Sequence, residues 1–178
     1  NRIDIAVHSL KDMPSSLTPK LVIAAVPKRE DPRDALVSRE GILLEDLPAG
    51  SRIATGSIRR QALVKSMRPD LTVEPVRGNV ETRLEKLRQT DGPDAVMLAT
   101  AGLNRLGLQD QISQHLSCME FVSAVGQGAL AIETRADDNV TTELAAKIDH
   151  LDTRQAITAE RAFLQVIGGG CSSSVSAH

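Results

Sequence analysis

The chain has 178 residues, 23 acidic and 21 basic, with a formal charge of −2 and 41% hydrophobic residues. This make-up suits a globular protein with one full domain or parts of two. It contains no apolar run of about 18 residues that could span a membrane and no secretory leader. Two Phe and no Trp or Tyr leave little with which to stack on single-stranded nucleic acid. Cys118 and Cys171 lie far apart with no CxxC spacing, which argues against a zinc site or disulfide framework and fits a reducing compartment. The chain opens at Asn1 inside a strand-like run, as a piece of a longer protein would.

In chain order, strand-like and helix-like runs alternate, the pattern of an α/β fold. Strands are predicted over 3–7, 21–26 and 34–38, then over 52–55 with a helix at 58–67. A strand at 71–76 is followed by a helix at 80–88, whose Val80, Leu84 and Leu87 share one face. A buried strand at 94–100 leads into a short helix at 101–108. Three such βα units in succession between about 51 and 112 predict a parallel-sheet domain. A strand at 129–134 and helices at 141–149 and 152–167 complete the chain. In the last helix, Ala156, Ile157, Phe163, Leu164 and Ile167 are expected to form a core stripe.

Polar residues gather at the ends of these strands, where open α/β sheets place their chemistry. The segments are His8-Ser9-Leu10-Lys11-Asp12-Met13-Pro14, Gly56-Ser57-Ile58-Arg59-Arg60, Arg77-Gly78-Asn79 with Arg83 beyond, and Ala101-Gly102-Leu103-Asn104-Arg105. Residues 52–88 carry nine basic side chains (Arg52, Arg59, Arg60, Lys65, Arg68, Arg77, Arg83, Lys86, Arg88) against four acids (Asp70, Glu74, Glu81, Glu85), a local +5. Ser57 reads as an N-cap, which puts Arg59 and Arg60 in the first helical turn, where cations oppose the helix dipole. An anion at that helix end would reconcile the placement. Arg83 sits beside an apolar stripe where leucine would be the plain choice. These arginines either snorkel over the core or line a pocket for a polyanion, carboxylate or phosphate.

Two further groups are open to two readings. Lys11 and Asp12 form an exposed ion pair of little consequence, or Asp12 is a catalytic carboxylate facing an organic cation. Cys171 follows a run of glycines at the end of the last helix, which is either a simple helix stop or a bare loop that lets a bulky group reach the sulfur. His8 reads as a hydrogen-bonded strand residue and Cys118 as an inert buried thiol.

Taken together, these segments resemble the porphobilinogen deaminase (hydroxymethylbilane synthase) family. The resemblance is carried in order by Asp4 to Pro14, Arg29-Glu30-Asp31-Pro32-Arg33-Asp34-Ala35, Gly56 to Gln61, and Arg77-Gly78-Asn79-Val80 with Thr82-Arg83-Leu84. It continues through Ala101 to Gly107, Ala124-Val125-Gly126-Gln127-Gly128-Ala129, and Glu160-Arg161-Ala162-Phe163 with Gly169-Gly170-Cys171. It implies a cytoplasmic transferase of heme and tetrapyrrole biosynthesis that deaminates porphobilinogen units and joins them head to tail into the linear hydroxymethylbilane. The chain grows on a dipyrromethane cofactor held through a thioether to Cys171.

The resemblance also implies that Asp12 is catalytic and that Lys11, Asp12, Ser57, Arg59, Arg60 and Arg83 bind the cofactor. Arg77, Arg83 and Arg105 would bind the acetates and propionates of porphobilinogen and the growing polypyrrole. No metal, nucleic acid or membrane partner is implied, and the protein would be a monomer. The family fold has two domains resembling type II periplasmic binding proteins plus a small α+β third domain. Residues 1–28 and 124–144 would belong to domain 1, 29–123 to an inserted parallel α/β domain 2, and 145–178 to the start of domain 3. The family's first strand would lie before Asn1 and most of domain 3 after His178. Ser174 stands where the family usually has proline, which loosens the cysteine loop. A ligand-binding module of the same architecture would need neither Cys171 nor Asp12. A nucleic-acid binder built on residues 52–88 is disfavoured by the missing aromatics and acidic balance.

Overall fold

The computed structural model describes residues 3–168 and residue 177. Cys171, its flanking glycines and Ser174 lie outside the described residues. The chain forms two compact units, one from Asn1–Pro32 with Ser123–His178 and the other from Arg33–Val122.

The first unit is built on an antiparallel three-stranded sheet in the order β1 (Ala6–Ser9), β8 (Leu130–Arg135), β2 (Leu21–Ala25). The first strand begins later than predicted, at Ala6, because its partners on β8 run only from Glu133 to Leu130. Leu10, Met13, Val26, Ala129, Ala131 and Ile157 form its main core. Helix α4 (Asn139–Ala146) is capped by Asp138, which accepts from Thr141 N, and contributes Ala145 to a second small cluster.

Helix α5 (Leu151–Val166) buries Thr153, Ile157, Glu160 and Leu164, whose spacing defines a single helical face. The expected stripe is therefore right for two of its five residues. Ile157 and Leu164 are buried, but Ala156 is exposed, as are Phe163 at 47% and Ile167 at 45%. A polar residue, Glu160, occupies the core-facing position instead. Arg29 to Pro32 also fall in the first unit and not in the inserted segment expected to start at 29. They are held there by Arg29 and by Glu30 N donating to Gly128 O.

The second unit contains the three predicted βα repeats: β4 (Arg52–Ala54) with α1 (Ile58–Met67), β5 (Thr72–Glu74) with α2 (Val80–Arg88), and β6 (Ala95–Ala99) with α3 (Thr100–Arg105). Strands β5, β4 and β6 are neighbours and parallel. The sheet as a whole is mixed, however, and not parallel throughout. Strand β3 (Asp34–Ser38) lies antiparallel between β6 and β7 (Gln114–Leu116), giving the order β5-β4-β6-β3-β7.

Strict alternation divides the side chains of this sheet between two cores. Leu36, Ile53, Ala95 and Met97 meet Val64 and Phe121 in one cluster. Ala35, Val37, Ala54, Val96 and Leu98 meet Leu84, Leu87 and Leu103 in the other. Among the described residues no helix is long and apolar enough to cross a membrane, and no group of His, Cys, Asp and Glu is placed to hold a metal ion.

Candidate functional site

The basic residues of the second unit are organised around the start of α1. Ser57 caps the helix as expected, its hydroxyl accepting from Arg60 N at 3.4 Å. Arg59 and Arg60 follow in the first turn, yet both are buried, at 4% and 5% exposure. The anion that reconciles them with the helix dipole belongs to the protein itself: Asp34, at the start of β3, with no exposed surface. Arg60 Nε donates to Asp34 Oδ1 at 2.8 Å, and its Nη2 lies 2.6 Å from the same oxygen. Arg59 Nη2 lies 2.7 Å from Asp34 Oδ2.

Each guanidinium is also held by a backbone carbonyl, Arg60 by Met97 O at 3.0 Å and Arg59 by Val122 O at 2.7 Å. Arg59 lies 5.8 Å from the Phe121 ring centroid, within cation–π range. Burial pulls the Arg59 guanidinium below its ordinary pKa; the Asp34 carboxylate opposes that, and the neighbouring charge of Arg60 adds to it. Arg59 Nε is a buried donor without a hydrogen-bond partner.

Arg83 is different. It is half-buried on α2, its Nε donates to Gly78 O at 2.9 Å, and no carboxylate lies within ion-pair distance among the described residues. Its pKa is lowered by burial first and then by the nearby charge of Arg60. Arg83 therefore adds a third guanidinium near the two that share Asp34. Arg77 is exposed before α2, which Asn79 caps by accepting from Thr82 N at 2.8 Å. Arg105 is exposed in the last turn of α3.

In the first unit, Lys11 and Asp12 occupy a 3-10 turn, Leu10–Asp12, directly after β1. Leu10 and Met13 pin the turn to the core at 1% and 6% exposure, while Asp12 is exposed. Leu10 N donates to Ala129 O at 3.0 Å and Met13 N to Leu10 O at 3.1 Å. Gly126 lets this turn pack closely. Its φ is +72°, and a Cβ there would collide with Leu10 Cδ2 and come within 3.2 Å of Lys11 N. His8 Nε2 lies 3.1 Å from Glu133 Oε2 on the neighbouring strand, a paired strand histidine as expected. Cys118 forms no disulfide among the described residues and is only partly buried, not the buried thiol expected.

Beside this turn lies an ion-pair network that the sequence reading does not single out. Arg29 Nη1 and Nη2 donate to Glu160 Oε1 and Oε2 at 2.5 and 3.2 Å, and Arg29 Nε to Gln127 O at 2.9 Å. Glu160 Oε2 also accepts from Gly126 N at 2.7 Å. Three of the sequence segments that carried the resemblance therefore meet in one buried latch. The same holds for Asp34, although an acid opening an otherwise apolar strand, in a chain with two arginines at a helix start, is a readable sign of a buried pair.

The architecture and these residues define an α/β protein whose second unit sets one half-buried guanidinium, Arg83, near two buried ones that share Asp34. Residues 1–143 match the family described as "Porphobilinogen deaminase, dipyromethane cofactor binding domain". The chain belongs to the porphobilinogen deaminase family. It is 52% identical to the porphobilinogen deaminase of Roseiflexus sp. (strain RS-1) over 99% of this chain and 58% of that protein. The relative from Alkaliphilus metalliredigens is 49% identical over 99% of this chain and 56% of its own length. The relative from Shouchella clausii is 52% identical over 95% of this chain and 54% of its length. The chain thus spans little more than half the length of these curated relatives.

Among solved structures, a Salmonella typhimurium periplasmic binding protein with high arginine specificity is similar over 93% of this chain and 72% of its own, at 17% identity and TM-score 0.46. A Burkholderia cenocepacia nutrient-binding protein bound to methionine covers 80% of this chain and 68% of its own, at 15% identity and TM-score 0.47.

Proposed function

We propose that the protein carrying this chain is a hydroxymethylbilane synthase, which deaminates porphobilinogen and joins the units head to tail on a dipyrromethane primer bound covalently to Cys171. The observation that carries this reading is Arg83, a half-buried cation with no carboxylate of the protein within ion-pair distance among the described residues. A partly desolvated guanidinium gains most from a carboxylate ligand, and each porphobilinogen unit bears an acetate and a propionate.

When bound, the dipyrromethane supplies the covalent primer that is extended. Arg83, Arg77 and Arg105 take substrate carboxylates. Ser57, Lys11, Arg59 and Arg60 hold the cofactor, the two arginines acting from positions set by Asp34. Asp12 presents a fixed carboxylate to the positive charge that develops on the porphobilinogen ring as ammonia leaves, the kind of electrostatic help that dominates many catalysed reactions. The protein acts in the cytoplasm as a monomer.

The test is intact-mass spectrometry and turnover in protein expressed at the full family length. Cys171→Ser should lose the dipyrromethane adduct and all activity, while Cys118→Ser keeps both. Arg83→Leu should fold but load or elongate poorly. A Cys171→Ser protein that keeps its adduct, or an Arg83→Leu protein with normal KM and kcat, would overturn the proposal.

A further inference from the structure

The segment Glu160-Arg161-Ala162-Phe163 is only partly explained by the Arg29 latch, because Arg161 points elsewhere. Its Nη2 donates to Pro14 O at 2.9 Å and Ser15 O at 3.0 Å. One turn further along α5, Gln165 Nε2 donates to the same Ser15 O at 2.7 Å. The i, i+4 spacing of 161 and 165 places both donors on one face of the helix. Arg161 is half-buried and has no acidic partner within ion-pair distance among the described residues. It forms part of the wall of a cleft of about 220 Å³ that also includes Ile23, Val26, Ile157 and Ala162, which gives its aliphatic stem an apolar bed.

The two carbonyls that receive these donors follow Asp12 closely in the chain. On its other side, Asp12 is anchored by Leu10, whose side chain is buried and whose N–H donates to Ala129 O. The Asp12 turn is therefore tied down at both ends, and the second tie comes from the last turns of α5. In the sequence, that helix is followed a few residues later by Cys171.

We propose that Arg161 and Gln165 are positioning residues, which clamp the Pro14 and Ser15 carbonyls to α5 and so hold the Asp12 carboxylate in register with the pyrrole chain. The inference rests on the proposed role of Asp12. Clamping matters because displacing a reacting group by about 1 Å can cost on the order of 10²-fold in rate. A pair of long donors on a rigid helix limits such displacement better than a loop alone.

The experiment uses protein at the full family length, with Arg161→Met, Gln165→Met, the double variant and Arg161→Lys. Intact mass reports dipyrromethane loading, steady-state kinetics separate kcat from KM, and hydrogen exchange reports the amides of residues 10–16. In the double variant we expect normal loading, KM within about twofold of the parent, kcat lower by about 10-fold to 100-fold, and faster exchange confined to residues 10–16. Arg161→Lys, which keeps a donor for the carbonyls, should recover much of the rate.

Unchanged exchange at 10–16 in the double variant overturns the clamp, whatever the kinetics. So does normal kcat alongside faster exchange, or a kcat loss that Arg161→Lys fails to relieve. Asp12→Asn assayed in parallel separates the two ideas. If it retains normal kcat, the reading of Asp12 fails even where the clamp is seen in exchange. If it loses activity while the double variant does not, the positioning proposal fails alone.

Discussion

Replacing Asp34 by Asn tests whether the arginine pair is an internal structure as well as a ligand cradle. The substitution keeps the shape and one carbonyl acceptor but removes the carboxylate that Arg59 and Arg60 share. Asp34 has no exposed surface and the two guanidinium groups are 4% and 5% exposed, so water cannot take over the lost charge. Leaving buried partners uncompensated costs about 3–5 kcal/mol. For a protein of this size each kcal/mol lowers the midpoint by about 2–4 °C, so a fall of about 6–20 °C is expected. Scanning calorimetry suits the measurement, since a chain without Trp or Tyr offers no useful fluorescence.

Arg60→Met made in the Asp34→Asn background should cost much less than in the parent, because the cation it removes is by then a liability. The coupling should lie in the range of about 0.5–3 kcal/mol found for contacting groups. Asp4→Asn, at a pair whose acid is 68% exposed, should leave the midpoint where it was. An Asp34→Asn protein melting within about 2 °C of the parent would refute the argument that Asp34 neutralises the helix start.

Glu160→Gln should destabilise the first unit by about 3–5 kcal/mol, read by urea denaturation. Adding Arg29→Met should then cost less than it does alone, since the two side chains share one latch. Asp149 predicts a specific acid limb: its pKa is held below 3.8 mainly by the hydrogen bond from Arg154, with the Val26 N–H and nearby charges also contributing. A depressed carboxylate stabilises the fold above its unfolded value and loses that contribution as pH falls through the lower folded value. Melting temperature measured from pH 6 downward should therefore fall less steeply below about pH 4 in Asp149→Asn than in the parent.

Much of the fold was legible because period-2 and helical apolar patterns report burial directly. Val80, Leu84 and Leu87 sit on the inner side of α2 as read, and Ser57 caps α1 as its position before a helical run suggests. What escaped was decided by partners far away in sequence. β7 has three residues, Gln114-His115-Leu116, with no pattern of its own, and exists because β3 offers an edge to pair with. The antiparallel setting of β3 is invisible locally, since a strand buried on both faces reads alike in either direction. The face of α5 was misjudged for the same reason. An apolar count favours Phe163 over Glu160, but Arg29 and Gly126 N supply Glu160 with the partners that make burying it tolerable.

The candidate site divides along a similar line. Sequence position alone flagged Arg59, Arg60 and Arg83 as three like cations, because each breaks a local rule, either at a helix N-terminus or beside an apolar stripe. The structure separates them by where their counter-charge lies. Arg59 and Arg60 have theirs in Asp34, more than twenty positions earlier in the chain, and Arg83 has none among the described residues within ion-pair distance. A conflict with local preference thus marks a residue that answers to something outside its own element, but does not say whether that is a buried side chain or a ligand. Charge accounting at the level of the folded unit makes the distinction. It assigns Asp34 to the pair and leaves Arg83, alone of these three, with no carboxylate of the described residues within ion-pair distance.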